Sequence, residues 1–304
     1  MKIRIGTRRS PLAMVQARLV ADLLTSSTEG VETELVPMST KGDRSERIAL
    51  WKIGGKGLFV RELEEALTAG EIDVAVHSMK DLPGETNEAF SLGAVPVRED
   101  PRDVLIFSER IRSIDDLPTG AIVGTSSLRR KAQLISRRPD LMVTPLRGNV
   151  GTRMEKVKKH ECDATLLAAA GMRRLGMEPE AYCILQGDEF IPAAGQGALA
   201  VEVRRGEEGL VDVLDHRQSR MTALAERAFV TALGADCRSA VGAYARIEDG
   251  TLTITGMAAA PDGSRIVTEE MSGAVDDFEG IGTRLADACL EKGAGELLAM
   301  HPEG

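Results

Sequence analysis

Val74-Ala75-Val76-His77-Ser78-Met79-Lys80-Asp81-Leu82-Pro83 reads as a buried strand that ends in four side chains able to do chemistry. A carboxylate at a strand's end, facing a cleft and close to cations, suits proton transfer or stabilisation of a developing positive charge. Taken alone, Asp81 is a turn-forming Asp before Leu-Pro, and His77 a satisfied half-buried histidine. A second set is built for anions. Thr7, Arg8 and Ser10 follow the first strand-like run, and Thr125, Ser126, Ser127, Arg129, Arg130, Arg147, Asn149 and Arg153 follow later ones. Arginine forks grip carboxylates or phosphates through two parallel bonds, which lysine cannot do. Any one of these arginines could decorate a solvated helix face, the default for surface charge. Clustered at helix starts, they point to a bound anion.

Two further segments carry reactive or mobile groups. Lys52-Ile53-Gly54-Gly55-Lys56-Gly57-Leu58-Phe59 is a Gly-rich cationic run without the spacing of a nucleotide P-loop, so it reads as a lid over an anion or as a plain surface turn. Cys237 lies in a loop between Asp236 and Arg238, whose charges pull its acidity in opposite directions and leave its reactivity open. Cys162 and Cys289 suit buried apolar places, and Cys183 sits in a less definite stretch. The four cysteines form no C-x-x-C pair and the four histidines are dispersed, so no zinc site is expected.

The elements that must position these groups repeat. Residues 2–6, apolar at Ile3 and Ile5, form a strand that leads through Gly6-Thr7 to an N-cap at Ser10, Pro11 at the first helical position, and a helix over 12–24. Residues 121–123, Gly124-Thr125-Ser126-Ser127 and a helix over 128–138 restate that pattern. Residues 34–43 parallel 143–149, and 71–76 parallel 161–166, in the same order. Three matches in register indicate two related α/β halves, whose ligands bind at the strands' carboxyl ends where helix N-termini point. Ile191-Pro192-Ala193-Ala194-Gly195-Gln196-Gly197-Ala198 leads to a strand over 199–203 and reads as a crossover returning the chain to the first half, or as an ordinary Gly-rich loop. Beyond residue 215 the spacing predicts a helix over 218–233, three strands at 241–247, 251–260 and 264–271 joined at Asp249-Gly250 and Asp262-Gly263, and a last helix over 277–292. The fold class is therefore α/β, two lobes with mainly parallel sheets plus a small C-terminal α+β domain with a three-stranded antiparallel sheet. Domain bounds are expected at 1–97 with 198–214, at 98–197, and at 215–304.

Charge agrees with one concentrated anion site. The 304 residues carry a net −9, yet 125–174 hold twelve Lys/Arg against four Asp/Glu, a surplus of eight cations, and the remainder sums to −17. General binding to nucleic acid or to a membrane surface is not expected from such a chain, and nine aromatics leave little for base stacking. With no apolar leader at the N-terminus and no run of ~20 apolar residues, a reduced, cytoplasmic protein is expected.

The motifs themselves resemble the porphobilinogen deaminase family over nearly the full length. They are I-G-T-R-R-S-P-L-A at 5–13, K-I-G-G-K-G-L-F-V at 52–60, A-V-H-S-M-K-D-L-P at 75–83, R-E-D-P-R-D at 98–103 and V-G-T-S-S-L-R-R at 123–130. L-R-G-N-V-G-T-R at 146–153, A-A-G-M-R-R-L-G at 169–176, P-A-A-G-Q-G-A at 192–198 and A-D-C-R at 235–238 complete the set. The resemblance implies lobes like those of type II periplasmic binding proteins around a cleft, and one dipyrromethane cofactor in thioether linkage to Cys237. It implies an enzyme of tetrapyrrole synthesis, a transferase that adds four porphobilinogens in turn, loses ammonia at each addition and releases hydroxymethylbilane. Asp81 matches the catalytic aspartate, stabilising an electron-poor pyrrole cation. Cofactor contacts carry over to Lys80, Ser78, Thr125, Ser126, Ser127, Arg129, Arg130, Arg147 and Asp43. Substrate contacts carry over to Arg8, Ser10, Arg147, Arg153, Arg174, Lys52, Lys56, Phe59 and Gln196. No metal is implied, and a monomer is expected. Asp236 and Ala240 stand where the family often has glycine and proline, and Lys41 where arginine is common. The competing class is a two-lobed anion sensor without catalysis, which would have no use for Asp81 with a loop Cys237.

Overall fold

The computed structural model describes residues 1–39, 60–84, 87–107, 113–235 and 239–300. Along the chain run β1 (Lys2–Arg8), α1 (Pro11–Ser27), β2 (Glu32–Met38), α2 (Arg61–Thr68), β3 (Val74–Ser78) and β4 (Phe90–Ala94). Next come β5 (Asp103–Phe107), β6 (Ile122–Gly124), α3 (Leu128–Arg137), β7 (Met142–Thr144), α4 (Val150–Lys158), β8 (Ala164–Ala168), α5 (Ala169–Arg174) and β9 (Tyr182–Ile184). The remainder is β10 (Leu199–Arg204), α6 (Arg217–Ala232), β11 (Val241–Glu248), β12 (Thr251–Ala259), β13 (Ile266–Ala274), α7 (Phe278–Glu291) and α8 (Ala294–Ala299).

One compact unit comprises Met1–Glu99 and Gly197–Arg220. Its sheet has the order β2-β1-β3-β10-β4. The first three strands are parallel and β10 runs antiparallel to both neighbours, so four of five strands point one way. Ile3 and Ile5, on alternate residues of β1, are buried with Val74 and Val76 against Ala17, Val20, Ala21 and Leu24 of α1, spaced to face one side of that helix. On the other face Leu63, Ala66 and Leu67 of α2 cover Ile72 and Ala75. Ser10 caps α1, accepting the Ala13 N–H at 3.3 Å, and Pro11 takes the first helical position.

The second unit comprises Asp100–Gln196 and Met221–Gly304. Its first sheet, β7-β6-β8-β5-β9, repeats the pattern strand for strand, again with one strand, β5, reversed. The duplication read from three motif matches extends to single hydrogen bonds. Gly6 pairs with Ala75 as Gly124 pairs with Thr165. The Asp73 carboxylate accepts from the Arg4 N–H at 2.8 Å, and Asp163 from the Ile122 N–H at 2.7 Å. After β3 the Met79 N–H donates to Ala198, and after β8 the Ala169 N–H donates to Arg102, both at 3.0 Å. Both reversed strands are the first to follow a crossing between the units, which is why each runs against the rest.

The C-terminal residues carry the expected three-stranded antiparallel sheet β11-β12-β13, covered by α7 and α8 around Phe229, Leu252, Ile254, Leu285 and Leu297. The expected third domain from 215 is grouped from Met221 onward with the second lobe. Its sheet packs closely there. The Ala243 N–H donates to Pro192 at 3.0 Å, and a Cβ on Gly242 would lie 2.8 Å from the same oxygen. The crossover thus runs along β11 before β10 returns the chain to the first unit.

Candidate active site

In the first unit the strand ends converge on one pocket, lined by Arg8 and Ser10 after β1, Gln16 of α1, and His77, Ser78 and Asp81 at the end of β3. A single 3-10 turn, Met79–Asp81, carries the exposed Lys80 and Asp81 out of the buried strand. Gln16 is 4% exposed and its side-chain amide lies 2.9 Å from Ser78 Oγ, which fixes the strand's last side chain from the helix side. On the opposite face His77 Nε2 lies 3.1 Å from Glu202 Oε2 of β10, with both side chains buried. Asp81 therefore sits in a pocket with a guanidinium and two hydroxyls, groups whose chemistry suits an anionic ligand with a cationic part.

In the second unit Ser127 caps α3, accepting the Arg130 N–H at 3.4 Å, while Ser126 Oγ donates to the Leu146 carbonyl at 3.0 Å and Thr125 Oγ1 accepts the Ser127 N–H at 3.2 Å. Asn149 caps α4 through the Thr152 N–H at 2.9 Å, and one turn on Arg153 donates to the Gly148 carbonyl at 2.9 Å. Burial, with the positive charges of Arg130 and Arg147, pushes the Arg153 guanidinium down to about 10. Guanidiniums close together at the N-terminus of a capped helix make a setting that favours a bound anion. This donor set fits a group bearing several carboxylates, such as a dipyrromethane. Arg174, the last residue of α5, is half-buried.

The arginine pair is placed differently from the expectation of free forks. Arg129 and Arg130 are 4% and 6% exposed, and both close on Asp103, which is fully buried at the start of β5. Arg129 donates to Asp103 Oδ2 at 2.7 Å and to the Ile191 carbonyl at 2.6 Å. Arg130 donates to Asp103 Oδ1 at 3.2 and 2.7 Å and to the Leu166 carbonyl at 2.7 Å. Gln196 joins them, its amide 3.0 Å from Asp103 Oδ1 and 2.7 Å from the Pro101 carbonyl. Burial alone would raise the Asp103 carboxyl, but the two guanidiniums hold it far below the usual carboxylate range. Arg129, Arg130 and Gln196 thus grip a carboxylate of the chain itself and tie β5, α3 and the crossover together.

Asp43, Lys52, Lys56, Phe59 and Cys237 lie outside the described residues. Of the rest, Arg8, Ser10, Ser78 and Asp81 share the first unit's pocket. Thr125, Ser126, Ser127, Arg147 and Arg153 gather at the capped helix starts of the second. Asp103, Gln16 and the His77–Glu202 pair carry polar work that the residue-type reading passed over. The available signals were the second Asp of R-E-D-P-R-D and a Gln six residues after each capping serine, Gln16 and Gln133. Gln133 meets the Ile191 N–H at 2.7 Å and the Ile191 carbonyl at 3.0 Å.

Comparison with known proteins gives the family. Residues 3–212 match the family model described as porphobilinogen deaminase, dipyromethane cofactor binding domain, and 220–291 match porphobilinogen deaminase, C-terminal domain. A curated relative, the porphobilinogen deaminase of Alkaliphilus metalliredigens (strain QYMF), is 44% identical over 299 residues, covering 97% of this chain and 94% of the relative. Among solved structures, an ancestral cationic amino acid solute binding protein matches with TM-score 0.43 at 15% identity, over 70% of this chain and 86% of that one. The BvgS VFT2 domain of Bordetella pertussis matches with TM-score 0.40 at 17% identity, over 70% and 86%. With both family models in sequence order and a relative this similar from end to end, the chain belongs to the porphobilinogen deaminase family.

Proposed function

We propose that this chain condenses four porphobilinogen molecules, one after another, onto a dipyrromethane held in thioether linkage by Cys237, with loss of ammonia at each step and release of hydroxymethylbilane by water, which leaves the dipyrromethane on the protein. The observation that carries this reading is the presence of two kinds of site on one family scaffold: an exposed carboxylate, Asp81, in a pocket with Arg8 and Ser10, and a cluster of guanidiniums around Arg153. The chain then acts as a transferase, in the cytoplasm and as a monomer.

Each pyrrole carries an acetate and a propionate, so every addition brings two more negative charges. Arg8 and Ser10 orient the incoming carboxylates beside Asp81. Arg147, Arg153 and Arg174, with Thr125, Ser126 and Ser127, bind carboxylates of the bound pyrroles, and helix N-termini supply further N–H donors. Lys80 and Ser78 contact the cofactor, with the remaining donors of Arg129 and Arg130 and with Asp43 beside them. Gln196, Lys52, Lys56 and Phe59 complete the substrate contacts. When bound, the dipyrromethane supplies the nucleophilic pyrrole end from which the chain grows. Asp81 accepts from pyrrole N–H groups and stabilises the positive charge left on the incoming ring as ammonia departs.

Intact-protein mass spectrometry tests the reading, after expression in cells that make porphobilinogen. The native chain carries an adduct of two pyrrole units, C237A carries none, and D81A keeps the adduct while porphobilinogen consumption falls at least 100-fold. An unmodified, inactive native chain would refute the reading, and full turnover by D81A would refute the role of Asp81.

A further inference from the structure

The duplication gives this protein an internal control, because a position in one lobe can be compared with its counterpart in the other. Ile5 pairs with Val74 where Val123 pairs with Ala164, so β3 and β8 correspond at an offset of 90 residues. His77 corresponds to Leu167. On the reversed strands, Ala200 pairs with His77 where Val104 pairs with Leu167, so Glu202 corresponds to Ile106. The helices keep the same offset: Glu71 returns its N–H to Ala66, and Glu161 returns its N–H to Lys156, both at 2.9 Å. Glu64 of α2 therefore corresponds to Met154 of α4.

In the second lobe these three positions are Ile106, Leu167 and Met154, members of one apolar cluster with Val104, Ala169 and Met172. In the first lobe they are Glu202, His77 and Glu64. His77 and Glu202 are 6% and 4% exposed, with Nε2 and Oε2 3.1 Å apart. Burial and the negative charge of Glu202 push the Glu64 carboxyl up, partly offset by His77. Buried ionisable groups are costly where apolar ones would pack, and the sister lobe demonstrates that the sheet and helix close over apolar side chains. The fold does not require the polar set.

What distinguishes the first lobe at this place is the turn that follows. His77 directly precedes Ser78 and lines the same pocket as Asp81, four residues before the end of the 3-10 turn. Gln16 holds Ser78 from the α1 face, Glu202 holds His77 from the α2 face, and the Met79 N–H is bound to Ala198. A hydrogen bond has a direction, and an apolar contact does not, so the pair fixes the rotation of the strand's last peptide as packing alone cannot. We infer that His77, gripped by Glu202, is a positioning residue that sets the orientation of the Ser78–Asp81 turn, and with it the approach of the Asp81 carboxylate to substrate. This rests on the function proposed above.

The test gives the first lobe the second lobe's side chains, in the full-length protein with its adduct. The triple variant E64M/H77L/E202I is expected to fold, to melt at or above the native temperature and to carry the same adduct mass. Its kcat for porphobilinogen should be at least tenfold lower, with KM within threefold of native. A kcat within threefold of native, at equal adduct content, would overturn the assignment. If the triple variant does not fold, H77Q and H77N decide, since a Gln amide reaches the place of Nε2 and an Asn amide stops near Nδ1. H77Q should keep kcat within threefold and H77N lose at least tenfold; equal kcat values would overturn the assignment. A native chain without turnover would overturn the proposed function and this inference together, whereas an active native chain with an equally active triple variant would overturn the inference alone.

Discussion

Replacing Asp103 by Asn is the most searching single change in the second lobe. Asp103 is fully buried and accepts four bonds, three at Oδ1 from Arg130 and Gln196 and one at Oδ2 from Arg129. If the Asn oxygen takes the Oδ1 place, its amide group faces the Arg129 nitrogen, where a donor now meets a donor at 2.7 Å. If it takes the Oδ2 place, three donors lose their acceptor. In either orientation two guanidiniums remain buried with no opposing charge. Removing one partner of a buried ion cluster costs about 3–5 kcal/mol, a large share of the roughly 5–15 kcal/mol that keeps a domain folded. Urea unfolding followed by circular dichroism should show the unfolding free energy falling by that amount, through a lower midpoint at an unchanged slope. Asp115→Asn, at a carboxylate half exposed beside Arg137, should not move it measurably. The pH dependence supplies a second reading. Because the folded carboxyl is held below its unfolded value, its contribution is complete above the unfolded value of about 3.9 and is lost as pH falls towards the folded one. The gap between native and D103N should therefore be constant from about pH 8 to 5 and close below about pH 4. A loss under about 1 kcal/mol at pH 7, or a gap that widens in acid, would refute the view that Asp103 compensates the arginine pair.

Two backbone positions give shorter tests. His160 has φ 56° after α4, where the first lobe has Gly70 at φ 66°, and a left-handed residue with a Cβ costs about 1–2 kcal/mol; His160→Gly should raise stability by about 1 kcal/mol after the entropy of the unfolded chain is subtracted, measured as a shift in melting temperature. Gly263, at φ 75°, would place a Cβ 2.7 Å from the Ala132 carbonyl of α3, so Gly263→Ala should lower stability by about 2 kcal/mol, and an unchanged melting temperature would show that the β12–β13 turn does not press on that helix.

The sequence made the scaffold legible wherever a local rule applied. Ser10-Pro11 and Ser127 announced two helix starts, and the Asp-Gly pairs at 249–250 and 262–263 marked both hairpin turns of the C-terminal sheet. The helix expected over 218–233 runs Arg217–Ala232, and that expected over 12–24 extends to Ser27. What stayed hidden was the destination of buried polar side chains. Arg129 and Arg130 look like solvent-facing or ligand-facing charge, because nothing nearby in sequence neutralises them; Asp103 lies 26 residues upstream and Gln196 93 beyond that. Only the register of β5 in the sheet brings them together. His77 pairs with a glutamate 125 residues away for the same reason. Periodicity finds which face of a strand is buried and is silent on which polar group waits there.

The two lobes also show how one scaffold came to hold two kinds of site. At the start of the reversed strand, Leu199 of β10 pairs with Ser78, and Asp103 of β5 pairs with Ala168. The polar member has changed strands. In the first lobe it sits at the end of β3, where the chain leaves the sheet into the turn that exposes Asp81. In the second it sits on the reversed strand, where it is sealed between Arg129 and Arg130. A hydroxyl held by Gln16 leaves its lobe a pocket with an exposed carboxylate; a carboxylate buried under two arginines leaves its lobe with surplus positive charge, felt as far as Arg153. The +8 stretch of sequence is therefore more than a concentration of surface cations: part of it, Arg129 and Arg130, is paired with a carboxylate inside the sheet. Exchange of one polar position between paired strands is enough to turn equivalent folds toward opposite charge.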